Sequence, residues 1–159
     1  MKEILINLSR QTLELRENGR VLKRYAVSAA KNGAGEQNGS QCTPRGRHVI
    51  RARIGAGQPH NAVFVARRPT GEIYSSALRA QHPGRDWILT RILWLGGLEP
   101  GRNRYREVST MPRYVYLHGT PDETELGKPG SHGCVRMRNA DIVELFEQVQ
   151  AGTPVEIVE

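Results

Sequence analysis

The sequence predicts a mainly β domain with one helix near its C-terminus. Short segments with alternating apolar residues recur along the chain, and few segments show helical periodicity. Seventeen glycines and nine prolines indicate many turns and loops between strands. The chain has 159 residues, a size that suits one domain, and no internal repeat or linker divides it. Residues 1–159 are therefore predicted to form a single domain, large enough to be a catalytic domain.

The N-terminal third is predicted to begin as a β-meander. Residues 3–8, 12–17 and 20–28 form strands by their alternating apolar positions. Asn18-Gly19 joins the second strand to the third, because a type I′ turn favours positive φ at both central residues.

The middle of the chain is less regular. Residues 47–54 and 62–66 are predicted strands, whereas residues 31–46 form a long loop rich in Gly, Asn and Ser. Residues 86–95 fit a short helix or a buried strand equally well, since periodicity does not separate the two. Residues 96–106 are a loop, and both loops could border a cleft.

The C-terminal third carries the helix. Residues 114–117 form a strand that delivers His118 at its end, and residues 134–137 form another short strand. Residues 139–150 are a predicted amphipathic helix with Asn139 as its N-cap. Its apolar residues follow i, i+3, i+4, i+7 spacing: Ile142, Leu145, Phe146 and Val149. Residues 154–158 form the last strand.

The net charge of +7 bounds the partners. It indicates either an ordinary basic globular surface or attraction to an anionic partner. No recognisable nucleic-acid-binding module accompanies the charge, so no nucleic-acid partner is predicted.

The N-terminus bears on location. No apolar run of about 18 residues predicts a membrane span, and residues 4–8 are too short and polar-broken for the core of a signal peptide. If Met1 is the native first residue, we expect a cytoplasmic protein. If the native chain begins upstream, a periplasmic or cell-wall location is the alternative.

The segment Ser131-His132-Gly133-Cys134-Val135-Arg136-Met137 and the earlier His118-Gly119-Thr120 carry the chemistry. A free thiol has a pKa of about 8.5, so a cysteine nucleophile needs a base and an environment that favours the thiolate. Cys134 with His118 and His132 nearby supplies a nucleophile, a candidate base and backbone donors for an oxyanion. The alternative for Cys134 is a buried structural thiol.

These two segments resemble the signature of the L,D-transpeptidase catalytic domain (YkuD-type), whose length and layout the whole chain also resembles. The resemblance implies a β-sandwich-like fold and acyl transfer on peptidoglycan stem peptides without a cofactor. A thioester on Cys134 would form at the bond between the L-centre of the position-three diamino acid and terminal D-alanine. An amine would then resolve it in a transpeptidase, or water in an L,D-carboxypeptidase, which we favour if the chain is not exported.

The resemblance also implies a role for each residue near Cys134. His118 is the base, and the Gly119 carbonyl orients it because glycine offers no side-chain acceptor. His132, two residues from Cys134, shares the pocket and helps to bind substrate or hold the oxyanion. The N–H groups of Gly133 and Cys134 are oxyanion donors.

Two further residues receive substrate roles. Arg136 is placed to bind a substrate carboxylate, with an ion pair to Asp122 or Glu125 as the alternative. Ser131 is assigned to substrate binding and to shaping the turn.

Other readings of the same residues stay open. Cys134, His132, His118 and Cys42 are zinc-ligand types, but their spacing lacks a paired Cys motif, so no metal is predicted. Cys42 is interpreted as a structural or incidental thiol. A non-catalytic module that binds wall peptides is the rival from another class, and a generic cysteine peptidase is a weaker one. The resemblance further implies that carbapenems acylate Cys134.

Overall fold

The computed structural model describes all 159 residues and contains ten strands and two α-helices. The strands are β1 (Lys2–Asn7), β2 (Thr12–Glu17), β3 (Arg20–Ser28), β4 (Gly46–Ile54), β5 (Ala62–Val65), β6 (Arg68–Ile73), β7 (Ile88–Gly97), β8 (Tyr116–Thr120), β9 (Val135–Arg138) and β10 (Pro154–Val158). The helices are α1 (Ser76–Gln81) and α2 (Asn139–Gln148). The prediction of a mainly β, sandwich-like domain is confirmed. Neither helix combines the length and apolarity needed to cross a bilayer.

The strands form one sheet that closes on itself. Their order is β4-β10-β1-β2-β3-β9-β8-β7-β5-β6, and β4 also pairs with β7. Strand β7 therefore pairs with β8 along one edge and shares its other edge between β4 and β5. The closed arrangement encloses a main core of 21 buried hydrophobic residues. The β5–β6 hairpin extends from it beside β7.

The meander follows the prediction closely. Strands β2 and β3 have the predicted bounds, and Asn18 and Gly19 adopt φ of 52° and 79°, as a type I′ turn requires. The ambiguous segment 86–95 is largely strand β7. Most of its residues are buried on both faces, so no polar alternation marked it as a strand.

Strand β8 lies further along the chain than predicted. Tyr114 has φ of 56° and ends a 3₁₀ turn, Met111–Arg113, so the strand begins only at Tyr116. His118 is consequently the central residue of the strand rather than the residue that follows it. The whole strand is buried, which places the His118 side chain inside the protein.

Two short elements were not predicted. Helix α1 has six residues and buries none of them, so it shows no apolar periodicity; Ser75 caps it by accepting a hydrogen bond from the Leu78 N–H. Strand β6 contains Pro69 and Gly71, with φ of 87° at the glycine, and both residues weaken a strand signal.

Helix α2 begins one residue earlier than the predicted cap implies. Arg138 is the capping residue, without a side-chain hydrogen bond, and Asn139 is a buried residue of the first turn. The prediction of Asn139 as N-cap is therefore wrong: its side chain bonds across to β7 instead of to its own helix. The apolar face of α2 packs on β7, β8 and β9 and joins the main core.

Phe146 anchors α2 to the sheet. Its ring is fully buried, and the guanidinium of Arg53 lies 4.0 Å and that of Arg91 5.5 Å from the ring centroid. Arg53 also donates to the Phe146 carbonyl oxygen at 2.6 Å. The ring thus combines apolar burial with two cation–π contacts.

We expect Phe146→Ala to lower the free energy of unfolding by about 3–5 kcal/mol, because it opens a cavity in the core. Urea unfolding followed by far-UV circular dichroism measures the change. Glu147→Ala, at the exposed neighbouring position, is the control and should change stability by less than about 0.5 kcal/mol. Equal stability of both variants would contradict the anchoring role.

Candidate active site

The parallel pair β8–β9 sets the geometry of the site. Leu117 is paired with Val135 and His118 with Arg136. Continuing this register places Cys134, just before β9, beside Tyr116. Paired residues of neighbouring strands point to the same face, so His118 and Cys134 face the same side as diagonal neighbours. A strand spacing of about 4.8 Å and a rise of about 3.3 Å per residue put their Cα atoms roughly 8 Å apart.

The Cys134 thiol lies between two backbone groups of the segment that leads into β8. It donates to the Tyr114 carbonyl oxygen at 3.3 Å and accepts from the Tyr116 N–H at 3.4 Å. Burial raises the pKa of this thiol from 9.0 to about 12, although the Tyr116 N–H acts in the opposite direction. The raised pKa favours the neutral thiol over the thiolate, although Cys134 is only partly buried.

His118 is fully buried, and only one of its two ring nitrogens has a hydrogen-bond partner. Its Nδ1 lies 2.6 Å from the Gly119 carbonyl oxygen, which is the orienting contact expected from the sequence. Its Nε2 has no hydrogen-bond partner, and the Cys134 thiol is directed to the Tyr114 carbonyl instead of to this nitrogen. Burial lowers the pKa of His118, with the Gly119 carbonyl opposing that effect. With Nδ1 protonated and donating to Gly119, Nε2 is a free acceptor.

A buried polar triangle lies behind Gly119. The Thr90 hydroxyl donates to Asn139 Oδ1 at 2.7 Å, Asn139 Nδ2 donates to Asn61 Oδ1 at 2.8 Å, and the Asn61 N–H donates to Thr90 Oγ1 at 3.1 Å. A Cβ added to Gly119 would clash with Asn139 Oδ1 and come within 2.6 Å of the Leu89 carbonyl oxygen. This packing requires glycine after His118 and fixes where its carbonyl lies.

The turn before Cys134 is held by its own side chains. The buried Ser131 hydroxyl donates to the Cys134 carbonyl oxygen and accepts from the Gly133 N–H. Thr43 donates to the Gly133 carbonyl oxygen at 3.0 Å. Ser131 therefore shapes the turn, and its buried, engaged hydroxyl does not support the substrate-binding part of its assignment. The Gly133 N–H is likewise occupied, whereas the Cys134 N–H donates to no protein group.

Arg136 and His132 flank this centre. Arg136 pairs with Asp86 at 3.5 Å, not with Asp122 or Glu125. Its side chain is partly exposed, on the face it shares with His118. His132 is exposed and lines the cavities described next, so the structure brings it to the pocket as expected.

Two cavities meet at Cys134 and His132. The first has a volume of about 270 Å³ and is bordered by the loop before β4 and the segment before β8; its lining includes Asn38, Gln41, Cys42, Arg113, Tyr114 and Gly133. The second has a volume of about 440 Å³ and is lined by Ala66, Arg67, Asp86, Ile88, Tyr114 and Tyr116. Residues 31–46 thus border the cleft, whereas residues 96–106 line neither cavity.

Comparisons with known proteins identify the family. The family model described as the L,D-transpeptidase catalytic domain (YkuD) matches residues 1–157. The chain belongs to this family. Among curated L,D-transpeptidase relatives, the putative L,D-transpeptidase YkuD of Bacillus subtilis is 26% identical over 154 residues, which are 97% of this chain and 64% of that protein. The probable L,D-transpeptidase YbiS of Escherichia coli K12 is 47% identical over 47 residues, 30% of this chain and 15% of that protein.

A solved L,D-transpeptidase has the same fold. The structure of L,D-transpeptidase 3 from Mycobacterium tuberculosis in complex with a faropenem-derived adduct superposes with a TM-score of 0.61. Its sequence identity is 14%, and the match covers 99% of this chain and 60% of that chain. This L,D-transpeptidase-family chain therefore spans less than two thirds of the length of these relatives.

Arg113 belongs to this L,D-transpeptidase-family site and was not foreseen from the sequence. Arg113 donates to the carbonyl oxygens of Glu36 at 2.9 Å and Cys42 at 2.7 Å, and so holds the loop against the first cavity. The Cys42 sulfur is directed to carbonyl oxygens of the same loop, at 3.6 Å from those of Asn32 and Ser40. Both cysteines are free thiols. Arginine is common in this chain, so no sequence signal separated Arg113 from the others.

We expect alkylation of Cys134 by iodoacetamide at pH 7.5 to be at least tenfold slower than that of an unhindered thiol, because the raised pKa keeps it protonated. The rate should rise continuously with pH up to at least pH 10. Mass spectrometry of a Cys42→Ser protein measures this rate without interference from the other thiol. A fast reaction that reaches its plateau below pH 7 would show a thiolate–imidazolium pair instead.

Proposed function

We propose that the chain catalyses cysteine-dependent acyl transfer on peptidoglycan stem tetrapeptides, cleaving the bond between the L-centre of the position-three diamino acid and terminal D-alanine. The observation that carries the proposal is the placement of Cys134 where two cavities meet, diagonally across one parallel strand pair from a buried histidine with a free Nε2. Membership of the L,D-transpeptidase family supports the reaction class.

The first step moves the thiol proton to His118. Rotation about the Cys134 Cα–Cβ bond takes the sulfur from the Tyr114 carbonyl towards Nε2, which accepts the proton as the sulfur attacks the scissile carbonyl carbon. Because both groups are neutral at rest, proton transfer accompanies attack rather than preceding it. The resulting imidazolium is stabilised by the hydrogen bond from Nδ1–H to the Gly119 carbonyl.

The tetrahedral intermediate needs a donor for its oxyanion. The Cys134 N–H supplies it, since this group has no acceptor within the protein. The Gly133 N–H joins only if it leaves the Ser131 hydroxyl, and the exposed His132 is placed to assist. When the intermediate collapses, the C–N bond breaks, His118 Nε2–H protonates the leaving D-alanine amine, and a Cys134 thioester remains.

An acceptor then resolves the thioester. His118 removes a proton from the acceptor, which forms the new bond to the carbonyl carbon; the C–S bond then breaks, and His118 returns the proton to the Cys134 sulfur. The second cavity leaves room for an acceptor amine beside the acyl group, which supports a transpeptidase. Water entering the same cavity would give an L,D-carboxypeptidase as the competing outcome. The net charge of +7 favours substrates that carry free carboxylates.

Product mass spectrometry tests the proposal. The protein is incubated with a muropeptide tetrapeptide and an excess of a foreign D-amino acid. We expect tetrapeptide in which the foreign residue replaces D-alanine, with Cys134→Ala lowering product formation at least about 10³-fold. Cys42→Ser is the matched control, since it removes the other thiol and should retain activity.

The alternatives give different products. Tripeptide alone, dependent on Cys134, would identify water as the acceptor. Substrate binding without any product would favour the non-catalytic wall-peptide-binding module, and cleavage of peptides made only of L-residues would indicate a generic cysteine peptidase.

Carbapenems provide an independent test of the nucleophile. A β-lactam carbonyl attacked by Cys134 forms a thioester and opens the ring without releasing a leaving group, so the protein gains the full mass of the drug. We expect this mass shift on the wild-type protein and on Cys42→Ser, and its loss in Cys134→Ala. An adduct that persists in Cys134→Ala would place the nucleophile elsewhere.

A further inference from the structure

Arg67 lies at the tip of the β5–β6 hairpin, in a backbone conformation that its residue type does not favour. Ala66 and Arg67 have φ of 50° and 64°, where Asn-Gly is the preferred pair for such a turn. Backbone held in this region by residues with a Cβ is uncommon and concentrates at functional sites. The turn points the hairpin tip at the cavity beside Cys134, which both Ala66 and Arg67 line.

The guanidinium of Arg67 contacts aromatic side chains and forms no ion pair. It lies 4.8 Å from the ring centroid of Trp94 and 4.7 Å from that of Tyr114, and it donates to the Tyr116 hydroxyl at 3.1 Å. No Asp or Glu lies within ion-pair distance of it, whereas Arg136, which flanks the same centre, is paired with Asp86. Two aromatic rings and a tyrosine hydroxyl hold the guanidinium in place, and its charge is not paired with an acid.

This cation belongs to the same cavity as the reacting sulfur. Arg67 and Cys134 both line the space of about 440 Å³, and Tyr116 connects them directly: its hydroxyl accepts from Arg67 and its N–H donates to the sulfur. A ligand group bound by Arg67 is therefore positioned within the cavity where chemistry at Cys134 would take place.

We propose that Arg67 binds the carboxylate of a D-configured amino acid and so determines which substrates this site accepts. A planar guanidinium matches a carboxylate, with two parallel N–H···O bonds available. One cation in a cavity that also contains Asp86 suits a singly charged group better than a phosphate, which the aspartate would repel. This inference rests on the proposed function and adds to it the group that the second cavity recognises.

Three carboxylates in the proposed reaction have this chemistry. They are the terminal carboxylate of D-alanine in the donor, the carboxylate on the D-centre of the diamino acid, and that of a free D-amino acid acceptor. Each has a neutral amide of almost the same size, so the charge is removable from the ligand as well as from the protein.

The test is a cycle of Arg67→Gln against substrate amidation, measured by initial rates. With free carboxylates we expect Arg67→Gln to raise KM about 10–100-fold and to change kcat less than about threefold. For the substrate amidated at the recognised position, wild-type and Arg67→Gln proteins should have equal KM. The amide that abolishes the difference identifies which of the three carboxylates is bound. Arg67→Lys should restore part of the affinity.

Arg68→Gln is the control, because Arg68 is exposed, adjacent in the same hairpin and outside the cavity lining. It should leave KM unchanged. If Arg67→Gln lowers activity equally on every free and amidated substrate, or leaves KM unaltered, the proposal is wrong.

A binding measurement separates this inference from the proposed function. N-acetyl-D-alanine and its amide are titrated into the Cys134→Ala protein, with and without Arg67→Gln, and followed by NMR. Arg67-dependent binding of the acid but not of the amide supports the inference even if no acyl transfer is found. Binding that ignores either the carboxylate or Arg67 overturns it even in an active enzyme.

Discussion

The parallel pairing of β8 with β9 is the constraint on which the site depends. Most neighbouring strands in this sheet are antiparallel, and only β1–β10 and β8–β9 run in the same direction. Parallel neighbours need a long connection, and here residues 121–134 supply it. That connection is attached to the end of β3: the Gly127 N–H donates to Val27, and the N–H groups of Gly130 and Ser131 donate to Ala29. The cysteine turn is thus fixed from both sides before it enters β9.

The same arrangement places a buried histidine beside a partly exposed thiol. Burial lowers the pKa of His118 and raises that of Cys134, which favours the neutral imidazole and the neutral thiol over an ion pair. The Thr90–Asn139–Asn61 triangle satisfies its own polar groups and leaves the Gly119 carbonyl to His118. His118 Nε2 is consequently the ring nitrogen left free to accept a proton.

Sequence patterns predicted the features that depend on local rules. The Asn18-Gly19 turn, the meander, the apolar face of α2 and the spacing of His118 from Cys134 follow from neighbours in the chain. Features that depend on distant partners were missed. Asn139 was predicted as a cap from its position before the helix, because its actual partner, Thr90, lies 49 residues away and leaves no local signal. The start of β8 depended on the left-handed Tyr114, and the resting position of the thiol depended on backbone groups twenty and eighteen residues away.

The outer strand β6 ends the sheet order, and its residues determine what can pair with it. Arg68 and Pro69 open the strand, and Gly71 interrupts its extended backbone with a φ of 87°. A charge, a missing N–H and a break in the pleat each hinder another strand from adding to this edge. The hairpin that presents Arg67 to the cavity is therefore also protected against edge-to-edge aggregation. Its exposed outer strand should not make the protein prone to self-association.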